Sequence, residues 1–164
     1  MKYKCTDHLD KFYFRDACME KCEFNSGLMT WQVSGIVARY HNPANETLVD
    51  RYMDTADVRF KNPVIRRFVL EGAKLYNADD VLVEEIPDTV IPEAEYESLF
   101  RRFSGGILFA VLPKDPVGEG RQVCEFAVDL ENEEEETTET YWVEVEYDKV
   151  LFEWDRFLNK AMLE

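Results

Sequence analysis

Hydrophobic and polar positions alternate most regularly between Tyr141 and Trp154. Tyr141, Val143, Val145 and Tyr147 share one parity, and Trp142, Glu144, Glu146 and Asp148 the other. Period two marks a half-buried strand. Unpartnered carboxylates do not enter a core, so the Tyr/Val face is expected to point inward. The alternation breaks at Asp148-Lys149 and resumes with Val150, Phe152 and Trp154 against Leu151, Glu153 and Asp155. Either a tight hairpin turn or a bulge that switches faces inside one long strand produces such a break. Lys149 is a poor substitute for the glycine of a two-residue hairpin turn, which favours the bulge. Beyond Asp155, the spacing of Phe157, Leu158, Ala161 and Met162 predicts one or two turns of helix. Trp154 is expected to pack on that clasp, its indole nitrogen donating to a backbone carbonyl.

Elsewhere the pattern is again one of short strands and turns. Residues 1–10 read as a polar lead-in, Phe12-Tyr13-Phe14 as a first strand and Arg15-Asp16 as a corner. Cys18, Cys22 and Phe24 share a parity with Glu20, which predicts a strand; Cys18 and Cys22 also stand at i,i+4, a spacing a short helix would use. After the Asn25-Ser26-Gly27 turn, Leu28 to Tyr40 reads as a long strand with a bulge or close approach at Gly35. Residues 41–55 form a polar loop, and 56–60 a short strand that turns at Lys61-Asn62-Pro63. Val64 to Tyr76 reads as a strand or strand pair broken at Gly72, with a return strand at 81–86 after Asn77-Asp80. Ile91 to Phe103 is the best helix: Pro92 and glutamates in its first half, Arg101-Arg102 at its end, and Gly105-Gly106 to stop it. Residues 107–112 predict a central strand and 113–120 a loop. Residues 123–130 form a strand with Cys124, Phe126, Val128 and Leu130 inward, pairing as a hairpin with 141–147. The sum is a single globular β-rich domain over 1–164. It is an antiparallel β-sandwich or open barrel of about nine or ten short strands, with one or two short helices.

Charge narrows the partners. The net charge is −15, which disfavours nucleic-acid backbone and anionic membrane surfaces and suits a basic protein partner. The four cysteines, Cys5, Cys18, Cys22 and Cys124, form no CxxC and no zinc spacing with His8 or His41. MKYKCTDHLD lacks the apolar run of a signal peptide, so a cytoplasmic protein with reduced thiols is expected.

No motif carries chemistry at a specific spacing, and no cofactor or metal site is expected. The run Glu133, Glu134, Glu135 and Glu136 reads first as a solvated hairpin loop and second as an acidic arm for a basic partner. Glu144 and Glu146 lie on one strand face about 7 Å apart, near a glycosidase spacing, although acids on one strand usually form its wet face. A Cys–His pair between Cys5 or Cys18 and His8 or His41 would have to assemble in space. Gly105-Gly106 and Gly118-Glu119-Gly120 lack the Lys-Ser/Thr of a phosphate loop.

The order FRDACMEKCEF, DVRFKNP, LYNADDVLVEEIPD and the closing EYDKVLFEWDRFLNKAML resembles a group of small uncharacterised Firmicutes proteins, chiefly clostridial. Some of these carry the label "subtilin biosynthesis sensor protein". The residues offer no counterpart to a sensor kinase: no nucleotide lid, no phospho-accepting His in a helical hairpin, no membrane span. The resemblance therefore assigns no functional residue. The favoured expectation is a non-catalytic protein-binding domain, immunity-like or regulatory, rather than an enzyme. The alternatives are a carboxylate-dependent enzyme or carbohydrate-binding domain, and a structural subunit that pairs through a sheet edge.

Overall fold

In the computed structural model, which describes residues 1–163, the alternating stretch is one long strand bent at Asp148. The strands in chain order are β1 (Tyr3–Thr6), β2 (Phe12–Tyr13), β3 (Ala17–Asn25), β4 (Leu28–Ser34), β5 (Val37–Ala38), β6 (Arg51–Met53), β7 (Ala56–Lys61) and β8 (Val64–Leu70). They continue as β9 (Ala73–Tyr76), β10 (Leu82–Ile86), β11 (Thr89–Val90), β12 (Gly106–Val117), β13 (Arg121–Asn132), β14 (Thr137–Tyr147), β15 (Lys149–Trp154) and β16 (Phe157–Lys160). One helix, α1 (Tyr96–Arg102), stands between β11 and β12.

The main sheet has ten antiparallel strands in the order β1-β15-β7-β4-β3-β12-β13-β14-β8-β11. A second sheet runs β16-β6-β5-β2, and β9 and β10 form a two-stranded ribbon of their own. The sheets are open, and the main one folds over on itself. Trp31 on β4 lies 4.8 Å from Phe126 on β13, and Phe60 on β7 lies 5.0 Å from Tyr147 on β14. Those strands stand well apart in the sheet order, so their side chains meet only across a fold.

The fold has a defined corner. β7 and β15 pair in one half of the sheet and β8 and β14 in the other, so both chains cross from half to half side by side, at Asn62-Pro63 and at Asp148. Arg121 ties the crossing together. Its guanidinium donates to Asp148, to Glu146 at 3.0 Å and to the Asn62 carbonyl at 2.8 Å. Asn62, at φ +52°, donates its side-chain amide to Asp148 at 2.6 Å. These bonds, from Asn62 first and then Arg121, hold the Asp148 carboxyl below the usual carboxylate range. The bend thus keeps 141, 143, 145 and 147 inward and delivers 150, 152 and 154 to the same core.

Aromatic packing fills the fold. Phe68, Phe100, Phe103 and Tyr141 contact one another at ring separations of 4.8 to 6.1 Å, which seats α1 over β8 and β14. At the other side Phe12 stacks on Phe152 at 4.0 Å and joins the four-stranded sheet to β15. Helix α1 ends as its sequence requires, with Arg101-Arg102 in the last turn and Gly105 at φ +86°.

Several expectations change. There are sixteen strands among the described residues rather than nine or ten, because short edge pairings went unread. Residues 3–6 are no lead-in: β1 pairs with β15, Tyr3 opposite Trp154. The 41–55 loop contains β6. The 113–120 loop is mostly β12, which pairs with β3 only at Gly106–Leu108 and is otherwise free on that side; Pro113 lies opposite Cys124 of β13, and Pro116 in the register shift between Lys114 and Val117. The closing segment is β16, paired with β6, and no helix; Leu158 and Met162 are exposed. A register shift between Met19 and Lys21 divides β3, so Ala17 and Met19 face inward and Cys18 outward, while Cys22 faces in. Trp154 is fully buried, as its parity requires, but packs on Tyr3, Phe12 and Phe157, and its indole nitrogen has no partner.

Candidate functional site

A groove lies where the β13–β14 hairpin passes the end of α1. Cys124, Phe126 and Val128 on β13, and Tyr141, Val143 and Val145 on β14, anchor the hairpin in the core. Past Leu130, which still packs against it, the two strands run clear of the core, and the chain turns back through residues 133–136. Asn132 shapes this turn by accepting from the Glu135 amide at 3.3 Å, and Glu136 adopts φ +51°. The groove beside it encloses about 720 Å³ and is lined by Asp129, Glu131, Glu133, Glu134 and Glu139 from the hairpin and by Arg102, Ser104 and Gly105 from the helix end.

Part of this acidic wall is held rigidly. Thr140 donates to Asp129 at 2.6 Å across the strand pair, and the Tyr141 hydroxyl donates to Glu139. Burial, then the Glu139 bond, pushes the Tyr141 hydroxyl up to about 12, so it stays a donor. Glu131, Glu133 and Glu134 are exposed. Ser104 is engaged elsewhere, donating to the Glu20 carbonyl at 2.7 Å.

The groove absorbs part of the expected set. Glu133 and Glu134 line it. Glu136 lies beside a second recess of about 360 Å³ with Thr137 and Thr138, and Glu135 lines neither. Glu144 and Glu146 are not brought to this place. They lie farther along β14, with Thr137 to Glu144 spanning about 24 Å at ~3.4 Å per residue. Both are half-buried beside arginines: Glu144 lies 3.6 Å from Arg66, and Glu146 belongs to the Arg121 corner. Glu153 meets Arg59 at 2.5 Å while Trp154 is inside the core, so those two do not share a cleft. Among the described residues no group of three His, Cys, Asp or Glu side chains is placed to hold a metal ion.

The remaining candidates have structural surroundings. The buried Cys5 thiol is raised to about 11, by burial first and then by Asp10 and Asp7, and its hydrogen-bond partner is Asn42. Burial raises Cys22 and Cys124 further. Cys18 is the most accessible of the four free cysteines, and it too is raised, by burial and then Glu20. His41 lies against the exposed Tyr40, ring centroids 4.7 Å apart and tilted by 34°. A thiol kept protonated in this way is a poor nucleophile.

Two features of the site were not read from the sequence. Asp129 falls in the expected strand 123–130, Glu139 in the expected loop that follows it and Arg102 at the expected helix end, and only the fold brings them around one groove. The β9–β10 ribbon corresponds to the strand pair expected beyond Gly72 and its return strand at 81–86, and it lies wholly exposed. The run Val81-Leu82-Val83, which has no period, is the sequence signal of that exposure.

No protein-family model matches this chain, and neither a curated protein nor a solved structure is similar to it. No helix among the described residues is long and apolar enough to cross a membrane.

Proposed function

We propose that this chain is a non-catalytic binding domain for a basic protein. One observation carries the reading: five carboxylates from the hairpin wall a groove to which Arg102 contributes the sole lining cation, in a chain of net charge −15. A field of one sign focused in a concave surface attracts and orients an oppositely charged partner. The neighbouring chemistry is arranged for holding rather than reacting. Glu139 and Asp129 are fixed by hydrogen bonds, and no cysteine or histidine lines the groove. A cytoplasmic location and an immunity-like or regulatory role are consistent with this reading and belong to the same proposal.

The test is capture by the immobilised full chain at low ionic strength. A basic protein should be retained, should rebind after purification, and should be released by salt. Neutralising the wall as E131Q/E133Q/E134Q should weaken the rebinding. Retention of no protein, or retention indifferent to salt and to these substitutions, would sink the proposal.

A further inference from the structure

Exposed apolar surface is concentrated on one element. Leu75, Tyr76, Leu82, Val83 and Ile86 on the β9–β10 ribbon are each 44% to 62% exposed, and Val90 on β11 just beyond is 73% exposed. No residue of either ribbon strand is shielded. A two-stranded ribbon alone is marginal in water, and apolar patches of this kind mark contact surfaces. β10 pairs with β9 on one side and with nothing on the other, so its outer backbone groups are unpaired by any strand.

Charge decides what can sit there. Residues 71–88 carry Glu71, Asp79, Asp80, Glu84, Glu85 and Asp88 against Lys74. A second copy adding antiparallel along β10 could set Glu84 opposite Glu84 or Glu85 of its counterpart, and like charges directly opposite are destabilising. A strand rich in Lys or Arg meets the same edge with opposite sign. The ribbon also rises beside the acidic groove. The Glu71 amide donates to the Thr140 carbonyl at 2.8 Å, and Thr140 pairs with Asp129 of the groove wall.

We propose that the free edge of β10 takes an extended, cationic segment of another protein as an added strand. The segment's backbone would continue the ladder of Leu82–Ile86; its basic side chains on one face would meet Glu85, and its apolar ones on the other would cover Ile86, or, in the other register, Glu84 and Leu82. The inference rests on the basic-partner reading and names the surface that makes the contact.

Three synthetic peptides of about ten residues, the length of a long strand, test it against the full chain: alternating Lys-Val, alternating Lys-Gly and alternating Glu-Val. Fluorescence anisotropy should show the Lys-Val peptide binding more tightly than the other two. Amide hydrogen exchange should slow at Leu82–Ile86 when it binds. E84K/E85K, checked by its melting curve to be folded, should weaken Lys-Val binding by about tenfold or more. The milder E84Q/E85Q should lie between. Equal binding of Lys-Gly and Lys-Val would overturn strand addition. So would protection confined to residues 129–139, although the basic-partner reading would then survive. Absence of binding by either Lys peptide would overturn the inference and count against that reading as well. Exchange protection at β10 that rises with protein concentration and no peptide would mean that a second copy is the occupant.

Discussion

The β13–β14 hairpin and the β9–β10 ribbon are both antiparallel pairs rich in apolar and acidic residues, yet they end in opposite environments. β13–β14 has β12 on one flank and β8 on the other, and its alternate side chains are buried. The ribbon has no flanking strand and buries nothing. Hydrophobic content does not separate them; period does. Cys124-Phe126-Val128 and Val143-Val145-Tyr147 put every second residue on one face, whereas Val81-Leu82-Val83 puts apolar groups on both. A sheet can bury only a consistent face, so the first pair was drawn into the fold and the second left outside it.

The widest contrast is expected between single aromatic truncations. Trp154→Ala, in the fully packed half, should cost about 3–5 kcal/mol in denaturant melts, while Tyr76→Ala on the ribbon should change stability by no more than ~0.5 kcal/mol. Comparable losses would show the ribbon to be packed after all. Trp142→Ala, on the half-buried outer face where its indole donates to Glu71 at 3.3 Å, should fall between them.

A smaller effect is expected at the corner. Arg121→Ala removes one of the two donors to Asp148 and the donor to Glu146 and the Asn62 carbonyl, and should lower stability by less than Trp154→Ala in the same melts. Its effect should include a change in pH dependence. Asp148 is held below its unfolded value, so its contribution is present above the unfolded pKa and is lost as pH falls through the folded one. Acid melts should therefore show the wild type losing part of its margin over Arg121→Ala as the pH drops through the carboxylate range. A constant margin would mean that Arg121 acts through packing alone.

The smallest effect should come from the hairpin tip. E133Q/E134Q/E135Q/E136Q should leave stability within about ±0.5 kcal/mol, because these side chains are exposed. A large loss there would make the tip part of the fold. In native protein, thiol labelling should reach Cys18 before Cys5, Cys22 or Cys124, since the first faces outward and the others lie in the core.

The sequence showed the fold class and the inward face of 141–154, because a strand's period is local. It also favoured the bend at Asp148 over a turn, through the poor fit of Lys149. What it hid were pairings decided elsewhere in the chain. Phe157–Lys160 has spacing compatible with a helix, but Met53 and Arg51 offer a strand edge, and tertiary pairing overrides the local pattern. Cys18 appeared to share a face with Cys22 until the register shift within β3 turned it outward. The acidic run 133–136 was visible as composition. The groove was not, because Arg102 and Asp129 meet only when α1 and the hairpin dock.

Gly72 sets one consequence for how this molecule tolerates change. A methyl group there would meet the Ile86 carbonyl oxygen at 1.9 Å, and the Gly72 amide donates to Asp88 at 2.8 Å. The two chains are pinched together at the neck before the ribbon begins. Everything beyond that neck can lengthen or shorten by matched residue pairs without moving the register of β8 against β14. The ribbon is in that sense an exchangeable cassette: its tip can be rewritten for a new contact while the scaffold that carries it stays unchanged.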